Sequence, residues 1–289
     1  MRNKNNVIRD TVIEESFALP GRDLGNWTQL YIDDLTVGET HALEQAKSHI
    51  SVHKEKKTIH AYHCEETFAK VSEESKKIGM VINPLKTQLI CISDHRHTNI
   101  ESYIMAGDQR IDSMAEMKVL GFIFENKPSV GAHIDHCLGK FKKAIWALTH
   151  LKRAKICENV LIKVYTTMLR PLLEYSAPVY HSMLTQTMSE SLEKQQRRAL
   201  RIIYGFDLSN QELLEKAKIR TMKERRIEAF EKFTVKLSNS SRFSSLFPEN
   251  NVRAGNMELR HTKNYIEEFA RTDRLYHSPV YAMRRYLNE

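Results

Sequence analysis

The feature of the sequence that most constrains its fold is a long stripe of apolar residues with helical spacing. The stripe consists of Ile134, Leu138, Phe141, Ile145 and Leu148. Its intervals of four, three, four and three residues are those of an α-helix that buries one face. Further helices are predicted over residues 158–169, 190–204, 210–217 and 223–237. The chain after Pro128 is therefore predicted to be all-helical.

The residues before Pro128 show a mixed pattern. One strand is predicted across residues 28–38, a helix running into a basic loop from 41 to about 57, and another helix that ends before Gly79. Later strands are predicted over residues 87–93, 102–106, 109–111 and 118–124. These patterns predict an α+β fold. Its four parts are an irregular segment at 1–28, a mixed region at 29–127, a helical region at 128–240 and a weakly ordered tail at 241–289.

Composition limits the function classes only loosely. The 289 residues include 44 Lys and Arg against 36 Asp and Glu, a net charge of +8. This balance favours a polyanionic partner, since neutralised phosphates release counterions. The four cysteines lack paired spacing, and no signal peptide or apolar membrane span is visible. We therefore expect a soluble intracellular protein of the nucleus or cytoplasm, with no membrane partner.

The sharpest chemical signal is the tetrapeptide Tyr31-Ile32-Asp33-Asp34. Ionised groups avoid sheet interiors unless something compensates their charge. A divalent cation is one compensation, and oxygen ligands suit Mg²⁺. The alternative is a polar β-turn that carries two solvated aspartates.

Five segments, in order, resemble the reverse transcriptases of non-LTR (LINE-like) retrotransposons, with the jockey-type branch the closest group. Tyr31–Asp34 resembles their Y-x-D-D signature, which in that family sits on a β-hairpin of the palm. The other four segments are Lys77–Thr87, similar to G-L-x-I-N-x-x-K-T; Val119–Phe124 with Ala132–Ile134, similar to L-G and H-I; Leu161–Tyr180, similar to L-Y-x-x-x-x-x-P-x-L-x-Y; and Leu192–Gly205, similar to L-E-x-x-Q-R-R-A-L-R-x-I-x-G. Together they span about residues 30 to 226, most of the chain.

The resemblance implies a partial right-hand polymerase palm followed by an all-helical thumb, acting on an RNA template and a DNA primer. Asp33 and Asp34 would be catalytic ligands of Mg²⁺ or Mn²⁺, and Tyr31 would lie at the primer terminus or incoming nucleotide. Lys86 would meet the triphosphate or protonate pyrophosphate, and Gly121 lies in the primer-grip segment. The cations expected to contact the nucleic-acid backbone are Lys140, Lys143, Arg197, Arg198 and Arg201.

Parts of the family pattern are missing from the sequence. Palm polymerases need another aspartate, which this family carries in a segment like F-D-x-x-x-A-F-D. Asp10 and Asp23 lack that context, and the P-Q-G block and the fingers have no counterpart. We therefore expect a truncated or relic copy, or an incomplete gene model, with no polymerase activity alone. The alternatives are a nucleic-acid-binding remnant of the thumb, and a chain with no stable fold.

Two further patterns favour structure over binding. The sets His60, His63, Cys64 and His133, His136, Cys137 have spacing that fits one helix face, yet no matching second pair, so we expect them to bind no zinc. Four aromatic residues fall in helical stripes, and we expect them to pack in the core rather than stack on bases. They are Phe141, Trp146, Tyr165 and Tyr204.

Overall fold

The structure is a computed structural model and describes part of the chain. The described residues are 27–30, 35–38, 50–53, 56–60, 62–77, 79–92, 100–249, 264–267, 269–270 and 272–289, with side chains from residue 64 onward except at 100–101. The chain divides into two compact units. Unit 1 comprises 1–118 with 125–128, and unit 2 comprises 119–124 with 129–289. The predicted mixture of helices and strands is confirmed.

Unit 1 contains seven described strands and one described α-helix. The strands are β1 Trp27–Leu30, β2 Leu35–Gly38, β3 Ile50–His53, β4 Lys56–His60, β5 Leu89–Ile90, β6 Ile100–Ala106 and β7 Gln109–Met114, and the helix is α1 Tyr62–Lys77. β1 and β2 pair antiparallel, with Leu30 opposite Leu35. The predicted single strand over 28–38 is thus wrong, because two short strands pair with each other across that range.

The other five strands of unit 1 form one sheet in the order β3-β4-β6-β7-β5. β4 and β6 run parallel, and α1 lies between them in the chain, as a parallel pair requires a long crossover. Ile104 and Ile111 are buried. The helix running into a basic loop that is predicted from 41 to about 57 is wrong over its described part, since Ile50–His53 is a strand that pairs with β4. Residues 41–49 lie outside the described residues.

A tight hairpin replaces the strand predicted over residues 118–124. β8 Glu116–Val119 and β9 Phe122–Glu125 pair with each other. Between them Leu120 has a φ of 50° and Gly121 a φ of 87°. Two successive residues with positive φ make the turn whose twist matches paired strands. The continuous apolar pattern of KVLGFIF conceals this reversal, and the prediction of one strand is wrong.

Unit 2 is helical beyond the hairpin. Its α-helices are α2 Gly131–Arg153, α3 Glu158–Val164, α4 Arg170–Glu174, α5 Ala177–Tyr180, α6 Gln186–Tyr204, α7 Asn210–Ala217, α8 Met222–Ser238, α9 Asp273–Tyr276 and α10 Pro279–Asn288. A π-helical turn, Tyr165–Leu169, joins α3 to α4. The predicted stripe of α2 is confirmed, because all five of its residues are buried in the main core. α6 begins four residues before its predicted start, where Thr185 caps it.

Polar contacts fix the helices of unit 2 in position. The buried Gln196 side chain accepts from the Tyr165 hydroxyl at 3.0 Å and donates to the Arg220 carbonyl at 3.0 Å. Glu193 accepts from the Met222 and Lys223 amides at the start of α8, at 3.2 and 2.7 Å. α8 also begins with a capping box at Thr221 and Glu224. α6 therefore aligns the π-helical turn that follows α3 with the start of α8.

Some of the C-terminal residues pack against α8. Phe230, Phe247 and Met283 form a small buried cluster. The Arg284 Nε donates to the Leu246 carbonyl at 2.8 Å. No element was predicted for residues 279–288, where the structure has α10.

Candidate nucleic-acid interface

The proposed catalytic segment lies outside the described residues. Tyr31, Asp33 and Asp34 fall between β1 and β2, whose backbones are described. In the part of the chain that the structure describes, no group of three or more His, Cys, Asp or Glu side chains is placed to hold a metal ion. The predicted roles of Asp33 and Asp34 as metal ligands, and of Tyr31 at the primer terminus or incoming nucleotide, therefore stay predictions.

Lys86 is the last residue of a short 3₁₀ turn, which other residues of the N-x-x-K-T motif stabilise. The Asn83 side chain accepts from the Leu85 amide at 2.9 Å, and the Thr87 hydroxyl donates to the Asn83 carbonyl at 3.1 Å. Asn83 and Thr87 thus close the turn Pro84–Lys86 from both ends. The Lys86 side chain is exposed. The motif N-x-x-K-T therefore presents a lysine to solvent from a fixed loop.

Gly121 lies against the ring of Tyr175. The Tyr175 hydroxyl donates a hydrogen bond to the Leu120 carbonyl. A β-carbon at position 121 would lie 3.3 Å from Cε1 of that ring. The positive φ and this close approach both require glycine. Its predicted role in primer binding stays a prediction, and its local role is to shape the hairpin turn.

His133 joins two of the motif segments to this turn. Its ring stacks on Phe122, with centroids 4.2 Å apart. Its Nε2 lies 3.4 Å from the Tyr175 carbonyl oxygen, to which a neutral ring protonated at Nε2 donates. Burial lowers the pKa of His133, which favours that neutral form. The Cys137 Sγ also contacts Nε2, at 3.6 Å. Residues from two of the motif segments thus meet around His133.

The other histidine set does not lie on one helix face. His60 ends β4, whereas His63 and Cys64 belong to α1. The helical spacing expected for these three residues is therefore interrupted by a change of element.

Two helices of unit 2 carry the predicted backbone-contacting cations. Lys140 and Lys143 are exposed on α2, and Arg198 is exposed on α6. Arg197 and Arg201 are half-buried on α6, and the buried Arg201 Nε makes no hydrogen bond to any described residue. α2 packs against α6. Within the described chain none of the five takes part in an ion pair.

Trp146 does not pack in the core. Phe141 and Tyr165 are fully buried, as predicted. The prediction for Trp146 is wrong, because the side chain is 67% exposed. Position 146 lies outside the arc of α2 that Ile145 and Leu148 occupy against the core. The His150 ring lies one turn further along, with its centroid 3.9 Å from that of Trp146.

Sequence reasoning missed an ion pair that joins α4 to α8. Arg225 on α8 meets Glu174 on α4 through both carboxylate oxygens, with Nη2 3.0 Å from Oε2. Glu174 raises the pKa of the Arg225 guanidinium through this hydrogen bond. Both residues lie near motif segments, but neither has a periodic pattern that could reveal its partner.

No protein-family model, no curated protein and no solved structure matches this chain. No helix within the described residues is both long and apolar enough to cross a membrane. Unit 2 is thus a helical unit that carries cations on two packed helices, α2 and α6.

Proposed function

We propose that this chain is the palm and thumb part of an RNA-directed DNA polymerase of the non-LTR retrotransposon type. The observation that carries the proposal is the antiparallel pairing of β1 and β2 on either side of Tyr31–Asp34. The resemblance implies a β-hairpin for that segment. A strand on each side of the two aspartates is the backbone arrangement such a hairpin needs.

Contacts between motif segments support the same proposal. Gly121 and His133 come from one segment and Tyr175 from another more than 40 residues later, yet they meet around one turn. The segment Leu192–Gly205 supplies Glu193, which holds the start of α8, and Gln196, which holds the π-helical turn after α3. The segments similar to the family thus coincide with the residues that hold unit 2 together.

The proposed chemistry is nucleotidyl transfer assisted by divalent metal ions. Asp33 and Asp34 offer only oxygen donors, the donor set that Mg²⁺ and Mn²⁺ prefer. Bound there, the metal would lower the barrier to attack by the primer 3′-hydroxyl and stabilise the leaving pyrophosphate. The exposed Lys86 would supply positive charge near the triphosphate.

A metal-directed cleavage experiment tests the site. Fe²⁺ in place of Mg²⁺, with ascorbate and peroxide, produces radicals that cut the chain next to the bound ion. We expect a cut close to Asp33 that the double substitution Asp33→Ala and Asp34→Ala removes. A folded chain that is bound to an RNA–DNA duplex and shows no such cut would contradict the metal site.

Primer extension tests activity. The sequence has no segment like F-D-x-x-x-A-F-D, so the carboxylate set is incomplete. We expect no incorporation on poly(rA)/oligo(dT) by this chain alone, with Mg²⁺ or with Mn²⁺. Incorporation that the double substitution abolishes would show that another carboxylate completes the site.

A second candidate function is nucleic-acid binding without chemistry. The observation that favours it is the set of cations on α2 and α6 that have no described ion-pair partner. Such a surface contacts phosphates without reading sequence. We expect binding to an RNA–DNA duplex that weakens steeply as salt rises, with a smaller slope after Arg197→Gln and Arg198→Gln. Duplex binding without metal-directed cleavage would favour this second candidate.

A further inference from the structure

The outer face of α2 combines exposed aromatic rings with unopposed positive charge. Trp146 is 67% exposed, and its ring contacts that of His150. Lys142 precedes Trp146 by four residues and Arg153 follows His150 by three, so these side chains lie on one face of the helix. Gly139 lies on the same face, and a β-carbon at that position would meet no other atom within 4 Å.

The charge on this face has one sign. Residues 140–155 include six Lys or Arg and no Asp or Glu. Lys152 is engaged, because its Nζ donates to the Ile203 carbonyl at 2.6 Å and lies 3.7 Å from Glu158. Lys142, Lys143 and Arg153 are exposed and pair with no described carboxylate. A polyanion fits this surface electrostatically.

The exposed rings narrow the choice of polyanion. A duplex offers phosphates but keeps its bases stacked, so it gives Trp146 nothing to stack on. Unpaired bases do, and stacking on aromatic rings beside a basic track is how proteins bind single strands of any sequence.

We propose that the face formed by Lys142, Lys143, Trp146, His150 and Arg153 binds single-stranded nucleic acid, with an unpaired base stacked on Trp146. This inference rests on the proposed function only in that the ligand is nucleic acid. It adds a binding mode for an unpaired strand, separate from the duplex contacts expected of Arg197, Arg198 and Arg201.

The sequence contains two tryptophans, Trp27 and Trp146. The test uses the full chain with Trp27→Phe, so that all tryptophan fluorescence comes from Trp146. The ligands are oligo(U) and oligo(dT) of equal length, an abasic strand of that length, and an RNA–DNA duplex. We expect both single strands to quench Trp146 fluorescence. The abasic strand should bind more weakly than the single strands and produce no quenching.

Substitutions separate stacking from charge. Trp146→Ala, measured with labelled ligands, should weaken binding of the single strands by roughly 5- to 150-fold and leave abasic-strand binding unchanged. Trp146→Phe should retain most of the affinity. Lys142→Gln with Lys143→Gln should instead lower the salt dependence for single and abasic strands alike. Phe206→Ala is the matched control, because Phe206 is 74% exposed on the same unit and should change nothing.

The outcomes keep this inference apart from the proposed function. Equal binding of single and abasic strands, or single-strand affinity unaffected by Trp146→Ala, would overturn the stacking site while duplex binding upholds the wider proposal. Binding of no nucleic acid at all would overturn both. Trp146 fluorescence that responds to anionic lipid vesicles and not to any oligonucleotide would overturn the inference in favour of a lipid surface.

Discussion

At the scale of single residues, Gly121 shows how one backbone position secures a contact between motif segments. Its φ of 87° suits glycine, and the Tyr175 ring fills the space that a side chain would take. The hydroxyl of the same ring holds the Leu120 carbonyl. The turn, the ring and the hydrogen bond therefore depend on one another.

Substituting Gly121 should test both the positive φ of this residue and its close contact with the Tyr175 ring. We expect Gly121→Ala to lower the free energy of unfolding by about 1–3 kcal/mol, through backbone strain and contact with the ring. Gly107→Ala is the control, since Gly107 also has a positive φ, 67°, but open space around it. Its cost should be about 1 kcal/mol. Equal costs in urea unfolding would show that the Tyr175 contact contributes nothing.

His181 should make stability sensitive to mild acid. Burial, then the charges of Arg226 and Lys223, lower the pKa of its imidazole from 6.5 to about 4. Between those values the unfolded chain binds a proton that the folded chain does not, so stability falls as the pH drops from 6.5 toward 4. We expect His181→Gln to reduce that fall in the urea midpoint. An identical fall in the His181 variant would contradict the assignment.

At the scale of elements, the paired carboxylate and guanidinium between α4 and α8 should contribute more than surface pairs do. Glu174 is 20% exposed and Arg225 31% exposed. We expect Glu174→Gln to cost about 1–3 kcal/mol, since the two-point hydrogen bond is charge-assisted and partly shielded from water.

The matched control for this pair is Glu228→Gln. Glu228 meets Arg220 at 2.8 Å and Lys232 at 2.7 Å on the exposed side of α8. Exposed pairs contribute about 0–1 kcal/mol. Thermal unfolding of both variants separates the two cases, and equal losses would remove the special role of the Glu174 pair.

Whether the sequence predicts an element depends on what stabilises that element. A long helix such as α2 buries a regular apolar stripe, and that pattern alone predicts it. The β8–β9 hairpin depends on two backbone angles that an apolar run conceals. β4 pairs with the distant β6, and a local pattern cannot indicate such a partner.

The sequence predicts only part of the candidate site. The order of the motif segments suggests a function, and Lys140, Lys143 and Arg198 are indeed exposed. The exposure of Trp146 depends on the exact rotation of α2 against the core, which the aromatic spacing alone does not fix. Gln196 looks like a surface residue by composition, yet it is buried because it satisfies two distant polar groups.

At the scale of the whole molecule, unit 2 holds its own core. Every residue of the main buried cluster, from Phe122 to Met222, belongs to unit 2. The smaller cluster of Phe230, Phe247 and Met283 does too. A unit with such a core can fold alone.

A fragment of residues 116–289 should therefore fold independently. We expect helical circular dichroism and one cooperative thermal transition, because β8, β9 and both buried clusters are retained. The fragment should also keep the oligonucleotide affinity of the full chain, as α2 and α6 are intact. A gradual, non-cooperative loss of helix signal would contradict the self-contained core.

The buried Gln196 carries a consequence for how sequences of this kind can drift. Its amide joins the Tyr165 hydroxyl to the Arg220 carbonyl. Loss of the hydroxyl alone would leave one buried polar atom unpaired, and loss of the amide would leave two. Substitutions at 165 and 196 should therefore be accepted together more readily than singly. Any descendant in which position 165 has become phenylalanine is expected to have lost the glutamine at 196 as well.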